Sequence, residues 1–286
     1  MKKKKNAGLD LKRISDNGFS EYRTLKSTPD PAGKILLNVP YGADPVQTLD
    51  IYLPANRSVS TTKILVIIHG GGFTSGSKSQ LTAYIQPIQK RLAGYAIFNI
   101  SYRQATTHDT LFPTQENDVK AALQFIINNS EKYRVSKNVI LLGVSAGGML
   151  ALLQGYKYTE PVIPKAIISF FGPTDLLDLY THSSNPLVPL TLMQVTGKTP
   201  AEDTLVYTDS SPVNFVSANS PPTILFQGGK DPLVNTQQQT MLRAKLTNAG
   251  VINQYVLYPN EGHGWQGANL NDSFNKIEAF LNENVH

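Results

Sequence analysis

The sequence predicts an α/β fold with a mostly parallel central sheet and helices on both faces. Continuous aliphatic runs, typical of strands buried on both faces, recur at residues 64–68, 96–100, 139–142, 166–170, 223–226 and 255–257. Helical patterns separate many of these runs, at residues 82–92, 116–128, 146–154 and 236–248, and another closes the chain at 272–281. Strands that alternate with helices of this length imply crossover connections and parallel pairing.

The segments outside this alternation predict the domain organisation. Apolar runs at 35–39 and 49–53 flank a turn-rich connection, so we expect them to pair as antiparallel strands. Residues 1–33 are polar and interrupted by Gly and Pro, which predicts a loosely structured lead-in to one domain over residues 34–286. Residues 173–222 carry only weak helical signals and are too many for an ordinary connection, so we expect a cap or lid insertion there.

The composition excludes several classes of protein. The chain has 286 residues, 41% of them hydrophobic, which is enough for one sizeable core. Cysteine is absent, so disulfides, thiolate metal sites and a cysteine nucleophile are excluded. Four consecutive lysines at 2–5 supply most of the net charge of +5, and the remainder lacks the basic stripe of a nucleic-acid-binding surface. No apolar run approaches the roughly 18–20 residues that cross a bilayer.

The first residues also bear on cell location. The lysines are followed by Asn-Ala-Gly-Leu-Asp at 6–10 and not by the apolar stretch of a signal peptide. The location is therefore not predicted outright. We expect a cytoplasmic protein if the chain is complete as written, and an exported one if an N-terminal signal has been removed.

The strongest local signal is a Gly-x-Ser-x-Gly motif between a strand and a helix. Gly143-Val144-Ser145-Ala146-Gly147 begins where the aliphatic run at 139–142 ends, and a helical pattern starts at once. This is the context of a nucleophile elbow, in which a strained turn lifts the serine hydroxyl clear of the sheet. The competing interpretation is a small-residue turn that packs a helix against a strand. The motif therefore predicts a nucleophile only together with suitable partners.

A second motif, His69-Gly70-Gly71-Gly72-Phe73, directly follows the run at 64–68. Three consecutive glycines lose much backbone entropy on ordering, so their presence beside a core strand indicates a need for accessible backbone N–H groups. The oxyanion of an acyl-transfer reaction needs such preorganised donors. A flexible surface loop is the competing interpretation. A phosphate-binding loop is excluded because no Gly-Lys-Ser/Thr sequence is present.

A nucleophilic serine needs a base and an orienting acid. Outside the glycine motif, His263 is the histidine that follows a predicted strand, where open α/β sheets build their sites. Asp231 follows the run at 223–226, and we expect its loop to lie beside the histidine loop. Asp175 follows the preceding strand and is the rival, although it also fits the cap of a helix beginning at Leu176. The sequence leaves open whether Asp175 replaces Asp231.

The order Ser145, Asp231, His263 is the order of an α/β-hydrolase. The motifs His-Gly-Gly-Gly-Phe at 69–73 and Gly-Val-Ser-Ala-Gly-Gly at 143–148 together resemble those of the hormone-sensitive-lipase-like and related bacterial carboxylesterases of this fold. The resemblance implies an α/β-hydrolase domain and a Ser-His-Asp triad.

The resemblance covers residues 34–284 and departs from the family pattern at two points. Val144 stands where the hormone-sensitive-lipase group usually has Asp, which favours the branch of smaller esterases. The stretch 104–108 follows Tyr102-Arg103 in place of the usual Ala-Pro-Glu, so the resemblance implies no role for that loop.

The resemblance also implies the chemistry of a serine carboxylesterase that needs no metal or cofactor. It assigns the oxyanion hole to the N–H groups of Gly71 and Gly72, and elbow geometry adds the N–H of Ala146. Phe73 and Trp265 are candidate walls of the substrate pocket, although aromatic residues beside a sheet more often belong to the core.

The expected partner is a small soluble ester. Residues 173–222 are polar in long stretches, unlike the apolar lid of a lipase, and nothing indicates nucleic acid or integral membrane association. A homodimer is left open, as are the acyl length and the alcohol. An amidase-like, peptidase-like or arylformamidase-like hydrolase would use the same triad, so the sequence does not separate it from an esterase. A non-catalytic ligand-binding protein on a hydrolase scaffold is disfavoured because all three triad residues are present.

Overall fold

The computed structural model of the protein describes residues 32–286, so nearly all of the predicted lead-in at 1–33 lies outside the described residues. The described chain forms one sheet of eight strands. The strands are β1 (Lys34–Pro40), β2 (Thr48–Leu53), β3 (Lys63–Ile68), β4 (Tyr95–Ile100), β5 (Val139–Val144), β6 (Ala166–Phe170), β7 (Thr223–Gly228) and β8 (Asn253–Tyr258). Each predicted aliphatic run lies within one of these strands.

The strands lie across the sheet in the order β1-β2-β4-β3-β5-β6-β7-β8. Strand β2 pairs antiparallel with both β1 and β4, and every other neighbouring pair is parallel. These pairings confirm the predicted α/β fold and the predicted antiparallel pair at its edge. The carboxyl ends of the parallel strands open along one edge of the sheet, where ligands bind in folds of this kind.

Helices connect the parallel strands. They are α1 (Thr82–Arg91), α2 (Thr114–Asn128), α3 (Ser130–Tyr133), α4 (Ala146–Lys157), α5 (Leu176–His182), α6 (Leu187–Thr196), α7 (Thr204–Asp209), α8 (Thr236–Asn248) and α9 (Gly267–Asn284), with 3-10 turns at Lys78–Leu81, His108–Thr110 and Pro212–Phe215. All helices predicted from periodicity are present, and the last begins earlier than predicted. Within residues 32–286, no helix has the length and apolarity that crossing a bilayer would require.

The sheet separates two hydrophobic cores. Along β3, Ile64, Val66 and Ile68 pack into one core, whereas Leu65 and Ile67 pack into the other, and all five are fully buried. Burial of one such side chain contributes about 1.5–3 kcal/mol. Burial on both faces explains why the strand sequences are continuously aliphatic.

Residues 173–222, between β6 and β7, form α5, α6, α7 and one 3-10 turn, whereas the periodicity predicts only weak helices there. Pro189 obscures α6 in the sequence, yet it lies in the first helical turn, where a missing N–H removes no hydrogen bond. The predicted cap of α5 is confirmed, because Asp175 Oδ1 accepts the N–H of Asp178 at 3.0 Å.

Candidate active site

Ser145 lies in the turn between β5 and α4, with φ 55° and ψ −121°. The neighbouring glycines allow this turn. A Cβ on Gly143 would lie 2.0 Å from the Gly147 carbonyl oxygen, and a Cβ on Gly147 would lie 2.2 Å from that of Ile68. Contacts this short with backbone cannot be relieved by a rotamer change. The two glycines therefore let β5, α4 and the end of β3 approach closely enough to present the Ser145 hydroxyl at the edge of the sheet.

The structure brings Ser145, His263 and Asp231 together in one chain of hydrogen bonds. His263 Nε2 lies 2.8 Å from Ser145 Oγ, and His263 Nδ1 lies 2.7 Å from Asp231 Oδ2. A carboxylate oxygen only accepts, so Nδ1 carries the proton and Nε2 offers its lone pair to the serine hydroxyl. The side chain of Asp231 is fully buried and that of His263 is 17% exposed. This geometry allows the imidazole to take a proton from Ser145.

The Asp231 carboxylate is held by donors other than the histidine. Its Oδ1 accepts the N–H groups of Leu233 at 2.8 Å and Val234 at 2.9 Å. Its Oδ2 also accepts from Gln227 Nε2 at 3.1 Å. These bonds fix the oxygen that faces His263. The rival, Asp175, caps α5 and takes no part in this chain.

Gln227 is a site residue that the sequence analysis does not identify. Its amide is fully buried at the end of β7, and Nε2 donates to Asp231 Oδ2 and, at 2.8 Å, to the Val234 carbonyl. Both partners are acceptors, so the amide nitrogen must face them. The signal that could have identified it is a polar residue directly after the aliphatic run 223–226.

The N–H groups of Gly71 and Gly72 belong to two consecutive peptide units whose carbonyls are anchored. The Gly70 carbonyl accepts from His69 Nδ1 at 2.7 Å, and the Gly71 carbonyl accepts the N–H of Ser75 at 3.0 Å. In a trans peptide the N–H points away from the C=O, so the anchors fix both donors. Gly71 has φ +112°, and a Cβ there would lie 2.1 Å from the Ser75 carbonyl oxygen.

The predicted third donor, Ala146, is the first residue of α4. N–H groups in a first helical turn have no intrahelical acceptor, and the helix dipole places partial positive charge there. The backbone of Gly71, Gly72 and Ala146 can therefore supply donors beside the Ser145 hydroxyl.

His69 is buried directly behind the glycine loop. Burial lowers the pKa of His69 to about 4, partly opposed by its hydrogen bond to the Gly70 carbonyl. The ring is therefore neutral near pH 7 and carries its proton on Nδ1, because the Gly70 carbonyl only accepts. Its Nε2 is buried without a hydrogen-bond partner among the described residues. A neutral, fixed imidazole thus orients the peptide that presents the Gly71 N–H.

Two cavities meet at Ser145. The larger has a volume of about 580 Å³ and the smaller about 130 Å³. Both predicted pocket aromatics line them: Trp265 contributes to the larger cavity and Phe73 to the smaller one. Both side chains are also largely buried, at 7% and 2% exposed, so they serve the core as well.

Comparison with known proteins identifies a matching family and relatives that are named as esterases or ester hydrolases. The BD-FAE family model matches residues 49–246. Esterase LipC of Mycobacterium tuberculosis is 27% identical over 263 residues, covering 86% of this chain and 64% of its own length. The probable carboxylic ester hydrolase LipM of the same organism is 28% identical over 204 residues, covering 66% of this chain and 46% of its own length. The chain thus spans about half to two thirds of these relatives.

Solved structures show the same fold. A truncated form of a carbohydrate esterase from gut microbiota superimposes with a TM-score of 0.76 at 24% identity, over 90% of this chain and 99% of that one. An esterase of Thermogutta terrifontis, Est2, solved with propionate bound, gives a TM-score of 0.69 at 21% identity over 88% and 94%. At these identities the likeness establishes the architecture alone.

Proposed function

Because the chain belongs to the BD-FAE family of α/β-hydrolase-fold proteins, we propose that it is a serine carboxylesterase that cleaves carboxylic esters of small soluble substrates. The observation that carries this proposal is the hydrogen-bonded chain from Asp231 through His263 to Ser145. The relatives that are named esterases support it. We further propose membership of the hormone-sensitive-lipase-like and related esterase group, supported by the motifs at 69–73 and 143–148.

Acylation follows from the geometry of the site. Ser145 Oγ forms a bond to the carbonyl carbon of the ester while its proton passes to His263 Nε2. The carbonyl π electrons move onto the oxygen, and the N–H groups of Gly71, Gly72 and Ala146 donate to the resulting oxyanion. When the oxyanion collapses, the bond to the alcohol oxygen breaks and that oxygen takes the proton from His263.

Deacylation repeats these steps with water. His263 Nε2 takes a proton from the attacking water, and the new oxyanion uses the same three backbone donors. Collapse releases the acid and returns the proton to Ser145 Oγ. In both half-reactions the buried Asp231 carboxylate stabilises the imidazolium and holds the ring in its working tautomer.

Substitution Ser145→Ala tests the proposal. We expect hydrolysis of p-nitrophenyl acetate to fall by about 10⁴-fold or more, with unchanged circular dichroism and thermal unfolding. Ser136→Ala, at a buried serine outside the site, is the matched control and should keep full activity. Activity retained in the Ser145 variant would reject the assignment.

Two further measurements separate the competing hypotheses. A fluorophosphonate probe should label Ser145 in the wild-type protein, whereas a non-catalytic binding protein would not react. Turnover of an ester and of the corresponding amide by the same preparation separates an esterase from an amidase that uses the same residues. We expect the ester to be cleaved faster.

A further inference from the structure

We propose that the two cavities divide the substrate between them, with the acyl chain in the smaller cavity and the alcohol in the larger one. The inference rests on the proposed ester hydrolysis and adds to it a substrate class: esters of short, apolar acids, up to about six carbons, with polar or bulky alcohols. It also identifies two side chains, Leu233 and Thr191, as determinants of acyl length.

The smaller cavity has the lining expected for an acyl chain. Its volume is about 130 Å³. Outside the site residues, its lining is almost wholly apolar, with Phe73, Pro173, Leu179, Val188, Leu192 and Val234. An apolar cavity of roughly 150 Å³ holds one benzene molecule, so this space fits about four to six carbon atoms.

The larger cavity, of about 580 Å³, has a different lining. Besides the glycine loop and the apolar residues Leu81, Val144 and Phe171, its lining includes Gln80, Tyr84, Trp265 and Gln266, which combine amide groups with aromatic rings. Amides can hydrogen-bond hydroxyl groups, and aromatic rings can cover the apolar faces of an alcohol. The cavity is also the more open of the two, so it can admit alcohols of different size.

The order of the reaction supports the same division. The acyl group stays bonded to Ser145 while the alcohol leaves and water enters. Water must therefore reach His263 from the side that the alcohol has vacated. The larger, more open cavity borders both residues and provides that route, whereas the smaller cavity is more enclosed and suits the group that remains.

Leu233 lines both cavities. The residues that line both are Gly72, Ser145, Leu233 and His263, so Leu233 is the shared side chain outside the serine and histidine. Its backbone N–H holds Asp231 Oδ1, and its side chain is 37% exposed. The side chain can therefore be shortened without removing a hydrogen bond of the acid.

Thr191 lines the smaller cavity and belongs to the insertion at residues 173–222. It lies on α6 beside Val188 and Leu192, and its Cγ2 is 3.5 Å from the position that a Cβ on Gly72 would occupy. A larger side chain at 191 would therefore extend into the space beside the glycine loop. Because α6 belongs to residues 173–222, this contact also supports the proposal that the segment caps the site.

The division predicts how the rate depends on acyl length. Each buried methylene should raise kcat/KM about fourfold until the cavity is full. With p-nitrophenyl esters we expect a rise from acetyl to butanoyl or hexanoyl. Octanoyl and decanoyl esters should be at least tenfold slower than the best substrate, because the added carbons find no space.

The test compares Thr191→Phe with Leu190→Phe. The control residue, Leu190, directly precedes Thr191 on α6, but it is 59% exposed and lines neither cavity. Thr191→Phe should lower the butanoyl-to-acetyl ratio of kcat/KM at least tenfold and leave the relative rates of acetates of different alcohols unchanged. Leu190→Phe should change neither the dependence of the rate on acyl length (the acyl series) nor its dependence on the alcohol (the alcohol series). Leu233→Ala should change the acyl series in the opposite direction and raise the octanoyl-to-butanoyl ratio.

The results that would overturn this inference differ from those that would overturn the proposed function. If Thr191→Phe changes the alcohol series and not the acyl series, the cavities are assigned the wrong way round and the inference fails. A wild-type profile that is flat through decanoyl also overturns it. Neither result affects the proposed function, which fails on different outcomes: activity retained in Ser145→Ala, or a wild-type protein that cleaves no ester and is not labelled at Ser145 by the fluorophosphonate.

Discussion

The rings of His69 and Tyr102 are stacked, with centroids 4.2 Å apart and planes inclined by 4°. The Tyr102 hydroxyl donates to the His69 carbonyl at 3.0 Å, and His69 Nδ1 donates to the Gly70 carbonyl at 2.7 Å. A buried pair of rings therefore supports the peptide that presents the Gly71 N–H. Support of this kind would keep the proposed oxyanion donor in place before substrate binds.

The buried histidine predicts a pH dependence of stability. The pKa of His69 is about 4 in the folded protein, against an ordinary value of about 6.5 in the unfolded chain. Between these values the unfolded chain holds a proton that the folded protein excludes. The contribution of His69 is therefore complete above pH 6.5 and declines as the pH falls, by about 3 kcal/mol at pH 4.

Urea unfolding of the wild-type protein and His69→Phe between pH 7 and pH 4 measures this contribution. The variant is expected to be less stable at pH 7, because it lacks the hydrogen bond to Gly70. Its free energy of unfolding should nevertheless fall less steeply with acidification. Parallel curves for the two proteins would contradict the prediction.

The acid of the site can be identified by a pair of equivalent substitutions. Asp231→Asn leaves the side chain in place but no longer fixes the proton on His263 Nδ1, so kcat should fall by about 10⁴-fold. Asp175→Asn retains a good helix cap, so kcat should stay within about twofold of the wild-type value. Equal losses in the two variants would count against Asp231 as the acid. Steady-state kinetics with p-nitrophenyl acetate decides between them.

Gln227 is predicted to act through Asp231. Gln227→Met removes the donor to Oδ2 at nearly constant volume, so the carboxylate gains freedom to turn away from His263. We expect kcat to fall about tenfold, equivalent to about 1.4 kcal/mol of transition-state stabilisation, with KM unchanged. The control is Gln154→Met, which removes another fully buried amide, one bonded to the Glu160 carbonyl. A similar loss of kcat in the control would show a general effect of destabilisation.

The turn that carries Ser145 is expected not to tolerate a methyl group at position 147. In Gly147→Ala the new Cβ would lie 2.2 Å from the Ile68 oxygen and 2.4 Å from the His69 oxygen, so β3 and α4 must move apart. We expect a loss of at least about 2 kcal/mol of stability together with loss of activity. At Gly94 a Cβ would meet nothing within 4 Å, so Gly94→Ala should have an unchanged melting temperature. Thermal unfolding of the two variants provides the comparison.

The sheet could be predicted from the sequence because its strands are buried on both faces and therefore read as continuous aliphatic runs. The Gly-x-Ser-x-Gly motif was likewise interpretable, since two glycines flank the serine at positions where backbone leaves no space. The insertion was harder to predict. Pro189 interrupts the apparent periodicity of α6, and α5 and α7 are too short to show one.

The supporting contacts of the site depend on tertiary structure. Gln227 looks like an ordinary strand residue until the fold places its amide against Asp231. Leu233 and Thr191 are far apart in sequence and line one cavity only in the folded protein. Residue spacing does not show which side chains meet in the folded protein, so the sequence alone could not identify these residues.

The hydrogen bonds that hold Ser145, His263 and Asp231 come entirely from residues outside the 173–222 segment. That segment instead supplies much of the wall around the smaller cavity. The triad and the part of the acyl-cavity wall that includes Thr191 are thus encoded in separate stretches of the gene. Mutation or recombination within the stretch that encodes residues 173–222 can yield descendants with new acyl preferences that inherit the triad unchanged.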